Sequence, residues 1–196
     1  MQELENQRPG RNKVTIVNKT YISGGEYRRK FDQLTDSDEL NRLLYQLAKE
    51  MLLHRTGTLY EDMYWIDMET REIVAKEVTN DTEEAVEYSP STENSIKDRH
   101  NLLTIHSHPG SFPPSIMDFN SNFLHDYQIG IVVCHNGAVY VYEAYEQIPE
   151  LAYNIVVAKY LKRDYTESEA QKMALYQLQN EYDIKFKEVT DNGIRK

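Results

Sequence analysis

One cysteine, Cys134, stands among the 196 residues, so no disulfide can form within the chain and no cysteine-built zinc site is possible. Basic residues are also short: 22 Lys and Arg against 32 Asp and Glu leave a formal net charge of −10. A general nucleic-acid binder neutralises phosphates with basic side chains, so that class is disfavoured, and a metal nuclease with it. Long apolar runs are missing as well. No stretch approaches the roughly 20 residues of a membrane span. Residues 1–13 are polar and charged, without the apolar centre of a signal peptide. These absences lead us to expect a soluble, cytoplasmic protein with no nucleic-acid or membrane partner, and they leave the oligomeric state open.

What is present is ample apolar material. Hydrophobic residues make up 40% of the chain, enough for the core of an ordinary domain. Tyrosine is abundant at 15 residues and suits element edges, where the ring is buried and the hydroxyl stays wet. The clearest element is a helix over 36–53. There Leu40, Leu43, Leu44, Leu47, Ala48, Met51 and Leu52 recur at the three-and-four spacing of one buried face. Asp36, with Glu39 three residues on, is its expected N-cap, and His54, Arg55 and Gly57 supply the stop.

The β-branched run 13–17 predicts a strand and 26–34 a short helix. A hairpin follows, with 63–66 returning over 73–78. Residues 79–101 are polar and acidic, with one short helix over 92–99. An apolar strand over 102–105 delivers His106, and a helix follows over 116–126. Strand 130–134 turns at Asn136-Gly137, a two-residue hairpin signal, into 138–142. Helices over 149–162 and 167–182 close the chain. The alternation predicts the α/β class: a mixed β-sheet with helices on both faces, hence a three-layer α/β/α sandwich.

The informative stretch is Ile105-His106-Ser107-His108-Pro109-Gly110-Ser111-Phe112-Pro113-Pro114-Ser115-Ile116-Met117-Asp118. Side chains two apart on an extended segment share a face, so His106 and His108 can converge on one ion. Zinc accepts imidazole nitrogen and carboxylate oxygen, and a catalytic site takes three protein ligands and leaves a fourth position to water. Asp118 is the natural third ligand, brought back by the turn that Pro109-Gly110 and Pro113-Pro114 enforce. Each piece also has a plainer reading. An isolated His-x-His is more often two polar residues leaving a strand, and Ser115 with Asp118 fits a capping box at the next helix. The cap and the ligand are compatible.

His-Ser-His-Pro, a Gly/Pro-rich loop and Ser-x-x-Asp together resemble the JAMM (JAB/MPN) motif of zinc isopeptidases and of RadC-type bacterial proteins. The resemblance spans about residues 36–145. It implies a cytidine-deaminase-like α/β/α fold, with a JAMM-like catalytic domain over 36–146, an N-terminal arm over 1–35, and a helical extension over 147–196 packed on the same domain. It also implies a catalytic glutamate after the first long helix and before a strand. Glu61 occupies that place, and Tyr60-Glu61-Asp62-Met63-Tyr64-Trp65-Ile66-Asp67 is similar to the corresponding RadC-type segment. The family pattern carries one more residue between the second histidine and the serine than the six here, 109–114. That shortening bears most on the reach of Ser115.

The implied activity is hydrolysis of a peptide or isopeptide amide. Zn2+ would be held by His106, His108 and Asp118, with Glu61 as general base and the Ser115 hydroxyl steadying the oxyanion. The implied partner is a protein or peptide substrate, a ubiquitin-like conjugate being one candidate. Glu50 is the second choice for the base. His54, His100, His125 and His135 lack ligand spacing, and Cys134 reads as a buried strand residue. A zinc nucleobase deaminase needs a cysteine pair that this chain lacks. The alternative from another class is a non-catalytic JAMM-like scaffold, encoded by a phage or mobile element.

Overall fold

A computed structural model describes residues 15–190 and the backbone of 193–194. The leader over 1–12 and the first two residues of the strand expected over 13–17 lie outside the described residues, and 15–17 are not in a strand. The helices are α1 (Lys19–Ile22), α2 (Gly25–Arg29), α3 (Asp38–His54), α4 (Pro90–Ile96), α5 (Ile116–Leu124), α6 (Glu150–Leu161) and α7 (Glu167–Leu178). The strands are β1 (Met63–Asp67), β2 (Ile73–Glu77), β3 (Leu102–His108), β4 (Ile129–Cys134), β5 (Val139–Ala144), β6 (Ile184–Thr190) and the two-residue β7 (Gly193–Ile194). Six strands form a mixed sheet in the order β2-β1-β3-β4-β5-β6, and β7 pairs beyond β6. The β3–β4 pair is parallel and every other described pair is antiparallel.

The two-residue period of each strand divides its side chains between two cores. One core holds Tyr64, Ile66, Leu103, Ile105, Ile131, Val133, Val139 and Val141. It packs against Leu40, Leu44, Leu47, Ala48, Met51 and Leu52 of α3 and against Tyr27 and Phe31. On the alternate residues, Val132, Cys134, Tyr140, Tyr142 and Phe186 meet Phe119 of α5, Tyr153 and Val156 of α6, and Ala174, Leu175 and Leu178 of α7. Met63, Trp65 and Leu102 extend that second face toward Ile96 of α4. Helix α3 thus packs on the first set of side chains and α5, α6 and α7 on the second, and the chain is of the mixed α/β class with a mixed sheet.

Four local readings are corrected. The N-cap of α3 is Ser37, whose side chain accepts from the Leu40 N–H, one residue after the expected Asp36. The helix expected over 26–34 is shorter and starts earlier, at Gly25–Arg29. The turn between β4 and β5 has His135-Asn136 at its centre, closed by Gly137 N–H donating to Cys134 C=O at 2.8 Å. Gly137 follows at φ 85°, the left-handed conformation that glycine enters without steric cost. The C-terminal region expected to be purely helical also contributes β6, which pairs along β5 from Tyr140↔Glu188 to Ala144↔Ile184. The alternation of Ile184 and Phe186 with lysines is the signal for it.

Gly130 on β4 lies directly opposite Tyr142 on β5. A Cβ at Gly130 would sit 2.1 Å from Tyr142 Cζ, so the tyrosine ring occupies the volume a side chain would need. Gly130→Ala is expected to destabilise the protein by roughly 1–3 kcal/mol, because a core ring must leave its position. Chemical denaturation of the two proteins checks this. An unchanged midpoint would mean the ring moves freely.

Candidate metal centre

Strand β3 is buried along its whole length and continues through His108, three residues beyond the strand end expected at 105. His106 pairs with Met63 on one side and Val132 on the other, and His108 pairs with Cys134. Both histidines thus lie on the second core's face, at the carboxyl end of the parallel β3–β4 pair, and α5 begins beside them. Helix α5 is the connection between β3 and β4, so its N-terminus returns to the point where β3 ends.

The imidazoles face each other, with His106 Nε2 and His108 Nε2 3.0 Å apart. Asp118, in the first turn of α5, brings Oδ1 to 3.3 Å from His106 Nε2 and Oδ2 to 3.6 Å from His108 Nε2. Tetrahedral zinc with bonds of about 2.0–2.1 Å requires ligand atoms about 3.3–3.4 Å apart. The three separations bracket that edge, and two imidazoles with one carboxylate are a donor set zinc accepts, so the residues present fit the ion. His108 Nδ1–H donates to the Phe112 carbonyl at 3.0 Å, which fixes the tautomer and leaves the Nε2 lone pair toward the centre. His106 Nδ1 is buried and makes no hydrogen bond among the described residues, so nothing equivalent fixes that ring.

Asp118 is held by a capping box. Its Oδ2 accepts from the Ser115 backbone N–H at 2.6 Å and from the Ser115 hydroxyl at 2.8 Å, while Ser115 Oγ accepts from the Asp118 N–H at 3.2 Å. Burial by itself would raise the Asp118 pKa. The charge and hydrogen bond of His106, then His108 and the Ser115 N–H, more than reverse this and hold the carboxyl well below the usual carboxylate range. The negative carboxylate also sits at the positive end of the α5 dipole. The capping box is present, and because its carboxylate also lies beside both histidines the ligand reading stays compatible with it.

Glu61 is buried, and one of its carboxylate oxygens lies within 4.8 Å of a ring nitrogen of both His106 and His108. Two carboxylates thus flank the histidine pair, and either could be the third ligand. We favour Asp118, because its oxygens match the ligand edge and its orientation is fixed by Ser115. Glu61 is carried at the approach to β1, where the β1–β3 pairing continues one step: Ser107 N–H donates to Asp62 C=O and the Asp62 N–H to Ser107 Oγ, both at 3.0 Å.

Asp62 itself is 1% exposed. Its carboxylate accepts from Arg55 Nε at 2.5 Å and lies 2.7 Å from His54 Nδ1, and Arg55 donates onward to the carbonyls of Val78 and Asn80. Sequence reasoning misses this group, because a carboxylate beside a candidate base carries no spacing signal of its own. Of the other histidines, His135 is tied to Thr15 C=O at 2.6 Å and His100 is an exposed partner of Asp126, so neither joins the centre. Glu50 is exposed and accepts from Tyr64 OH, on the α3 side of the sheet.

The centre opens into a cleft of about 1190 Å³ lined by Glu61, His106, His108, Ser115 and Asp118, with Met63, Val86, Tyr88, Ile96 and Tyr127 beyond them. Among the described residues no helix is long and apolar enough to cross a membrane. No family model, curated protein or solved structure matches the chain.

With its hydroxyl proton directed at Asp118, Ser115 acts in this geometry as a positioning residue. Ser115→Ala is expected to cost about 1 kcal/mol of stability through the lost cap. It is also expected to weaken metal binding by roughly tenfold through the loosened carboxylate. Thermal unfolding and competition with a metal chelator on one preparation check both. Unchanged metal affinity would limit Ser115 to capping.

Proposed function

We propose that the chain is a zinc-dependent hydrolase of amide bonds, of the JAMM type, with His106, His108 and Asp118 as ligands and Glu61 as general base. The observation that carries this reading is the convergence of two imidazole nitrogens and two differently held carboxylates at the floor of one cleft. In the same proposal the sheet and its helices form a three-layer α/β/α sandwich of the cytidine-deaminase-like kind, and the protein works in the cytoplasm. The substrate in this reading is a protein or peptide, as the resemblance implies, and the cleft of about 1190 Å³ has room for a peptide segment. Whether the amide cut is a peptide or an isopeptide, as in a ubiquitin-like conjugate, depends on the leaving amine.

A zinc ion bound there would supply Lewis acidity, the chemistry that lowers the pKa of a bound water to about 7. His106, His108 and Asp118 would hold the ion, and all three line the cleft from which a substrate would approach. Glu61 takes the proton from the attacking water and hands it to the departing amine. Its burial keeps bulk water from competing for that proton. Ser115 keeps Asp118 oriented through its backbone N–H and its hydroxyl. A scaffold would not need buried histidines with one tautomer fixed, so the catalytic reading is the stronger.

The protein is expected to bind about one zinc per chain, and His106→Ala, His108→Ala and Asp118→Ala each to lower that occupancy sharply. Glu61→Gln keeps the shape but cannot take a proton, so it should bind zinc like the native protein. Its turnover should fall by roughly 100- to 10,000-fold on any verified amide substrate. Elemental analysis and chelator competition read the first part, and single-substrate kinetics the second. Loss of zinc in Glu61→Gln would make Glu61 a ligand, and absence of zinc from the native protein supplied with it would sink the proposal.

A further inference from the structure

Helix α6 is apolar nearly all round, yet only Tyr153 and Val156 of it are buried. On the opposite side Leu151 is 72% and Ile155 62% exposed, and Ala158 and Lys162 are exposed with them. Those four positions are spaced four, three and four apart, which places them on one straight stripe of a helix, the spacing of a coiled-coil seam. None of the four lines the metal cleft. Ile155, Ala158 and Lys162 instead border a shallow groove of their own, which the small side chain of Ala158 leaves open. Single exposed apolar residues need no explanation, but a row of them at seam spacing marks an interaction surface.

The charge at the two ends of this stripe says what covers it. Glu150 stands at its amino end, and Lys159, Lys162 and Arg163 at its carboxyl end, with Asp164 the one acid there. Lys159 reaches sideways to Gln177 of α7, which leaves Lys162 on the seam itself. Such a surface is complementary to itself when turned end for end. We propose that α6 is a homodimer interface, in which the α6 helices of two copies pack antiparallel about a two-fold axis near Val156 and Val157.

In that arrangement Ile155 of each copy meets Ala158 of the other, a large residue against a small one, so the helices can approach closely. Leu151 is covered by the aliphatic stem of the other copy's Lys162, whose ammonium then reaches Glu150 beside it. An isologous contact of this kind uses the charge pair twice and closes at two copies. One helix face is well below a standard interface of about 1,600 Å², so the dimer is expected to be weak, in the micromolar range. This inference does not depend on the hydrolase reading, since the seam lies outside the cleft.

Sedimentation velocity over a micromolar concentration series tests it, using the full chain. The native protein should pass from monomer to dimer, and Ile155→Glu, an exposed position that spares the fold, should remain monomeric with an unchanged circular dichroism spectrum. The decisive arm uses two charge-reversed proteins, Glu150→Lys and Lys162→Glu. Each alone should dimerise roughly tenfold more weakly than the native protein, because like charges now face each other at both ends. An equimolar mixture should recover native affinity as a heterodimer. The weakening of each variant alone marks the end-for-end arrangement, because a parallel pair would set Glu150 against Glu150 and Lys162 against Lys162 and oppose like charges in the native protein already. A native protein that stays monomeric throughout, a dimer that survives Ile155→Glu, or a mixture no tighter than its components would each overturn the proposal.

Discussion

The candidate centre depends on one constraint: β3 is buried on both faces to its last residue, and its last alternate positions are histidines. A strand covered on both sides normally carries aliphatic residues, as Leu102, Leu103 and Ile105 do here. An imidazole in such a place must find polar partners, since an unpaired buried polar group costs about 1–3 kcal/mol. The structure meets that demand at the two Nε2 atoms, by turning the rings toward each other and setting a carboxylate across them, and leaves it unmet at His106 Nδ1. The polar cluster is therefore forced by the burial, and its geometry coincides with what a tetrahedral ion would ask.

The carboxylates that flank the pair are held by different means. Asp118 is fixed locally, by a cap within its own helical turn, so its orientation comes from a four-residue segment that needs little else. The segment that carries Glu61 is fixed at long range. Its neighbour Asp62 is anchored to Ser107 on β3 and to Arg55 at the end of α3, and Arg55 also holds the chain leaving β2. A ligand tolerates no wandering, whereas a base must follow the position of a proton. A short-range tether for the first and a broader network for the second suit the roles proposed for them.

Much of this is legible in the sequence, for identifiable reasons. The helix α3 is readable because its seven apolar residues sit on a single stripe, and the hairpin of β1 and β2 because polar turn residues bound it. His106, His108 and Asp118 are readable because a two-residue strand period and a capping signal are both local. The ion pair of Asp62 with Arg55 and the turn centred on His135-Asn136 are not, since each depends on contacts or hydrogen-bond closure that residue type does not specify. Strand β6 is masked despite its alternation, because the preceding helical pattern runs on to Tyr182. By length alone, the shortened loop bears on the reach of Ser115. In the structure Ser115 still caps α5, and the loop is pinned instead by Ser111, whose Oγ accepts from the Asn136 N–H at 3.1 Å.

The carbonyl of Phe112 that fixes His108 also accepts from the thiol of Cys134 at 3.3 Å. Burial, chiefly, pushes that thiol well above its ordinary pKa, so no thiolate competes with the imidazoles for a soft metal. The same burial makes the sulfur inert to oxidants and alkylating agents while the sheet stays closed. Cys134 therefore serves as a clock: the rate at which an alkylating reagent reaches it measures how often the layer beneath His108 opens, with no label added and no residue changed.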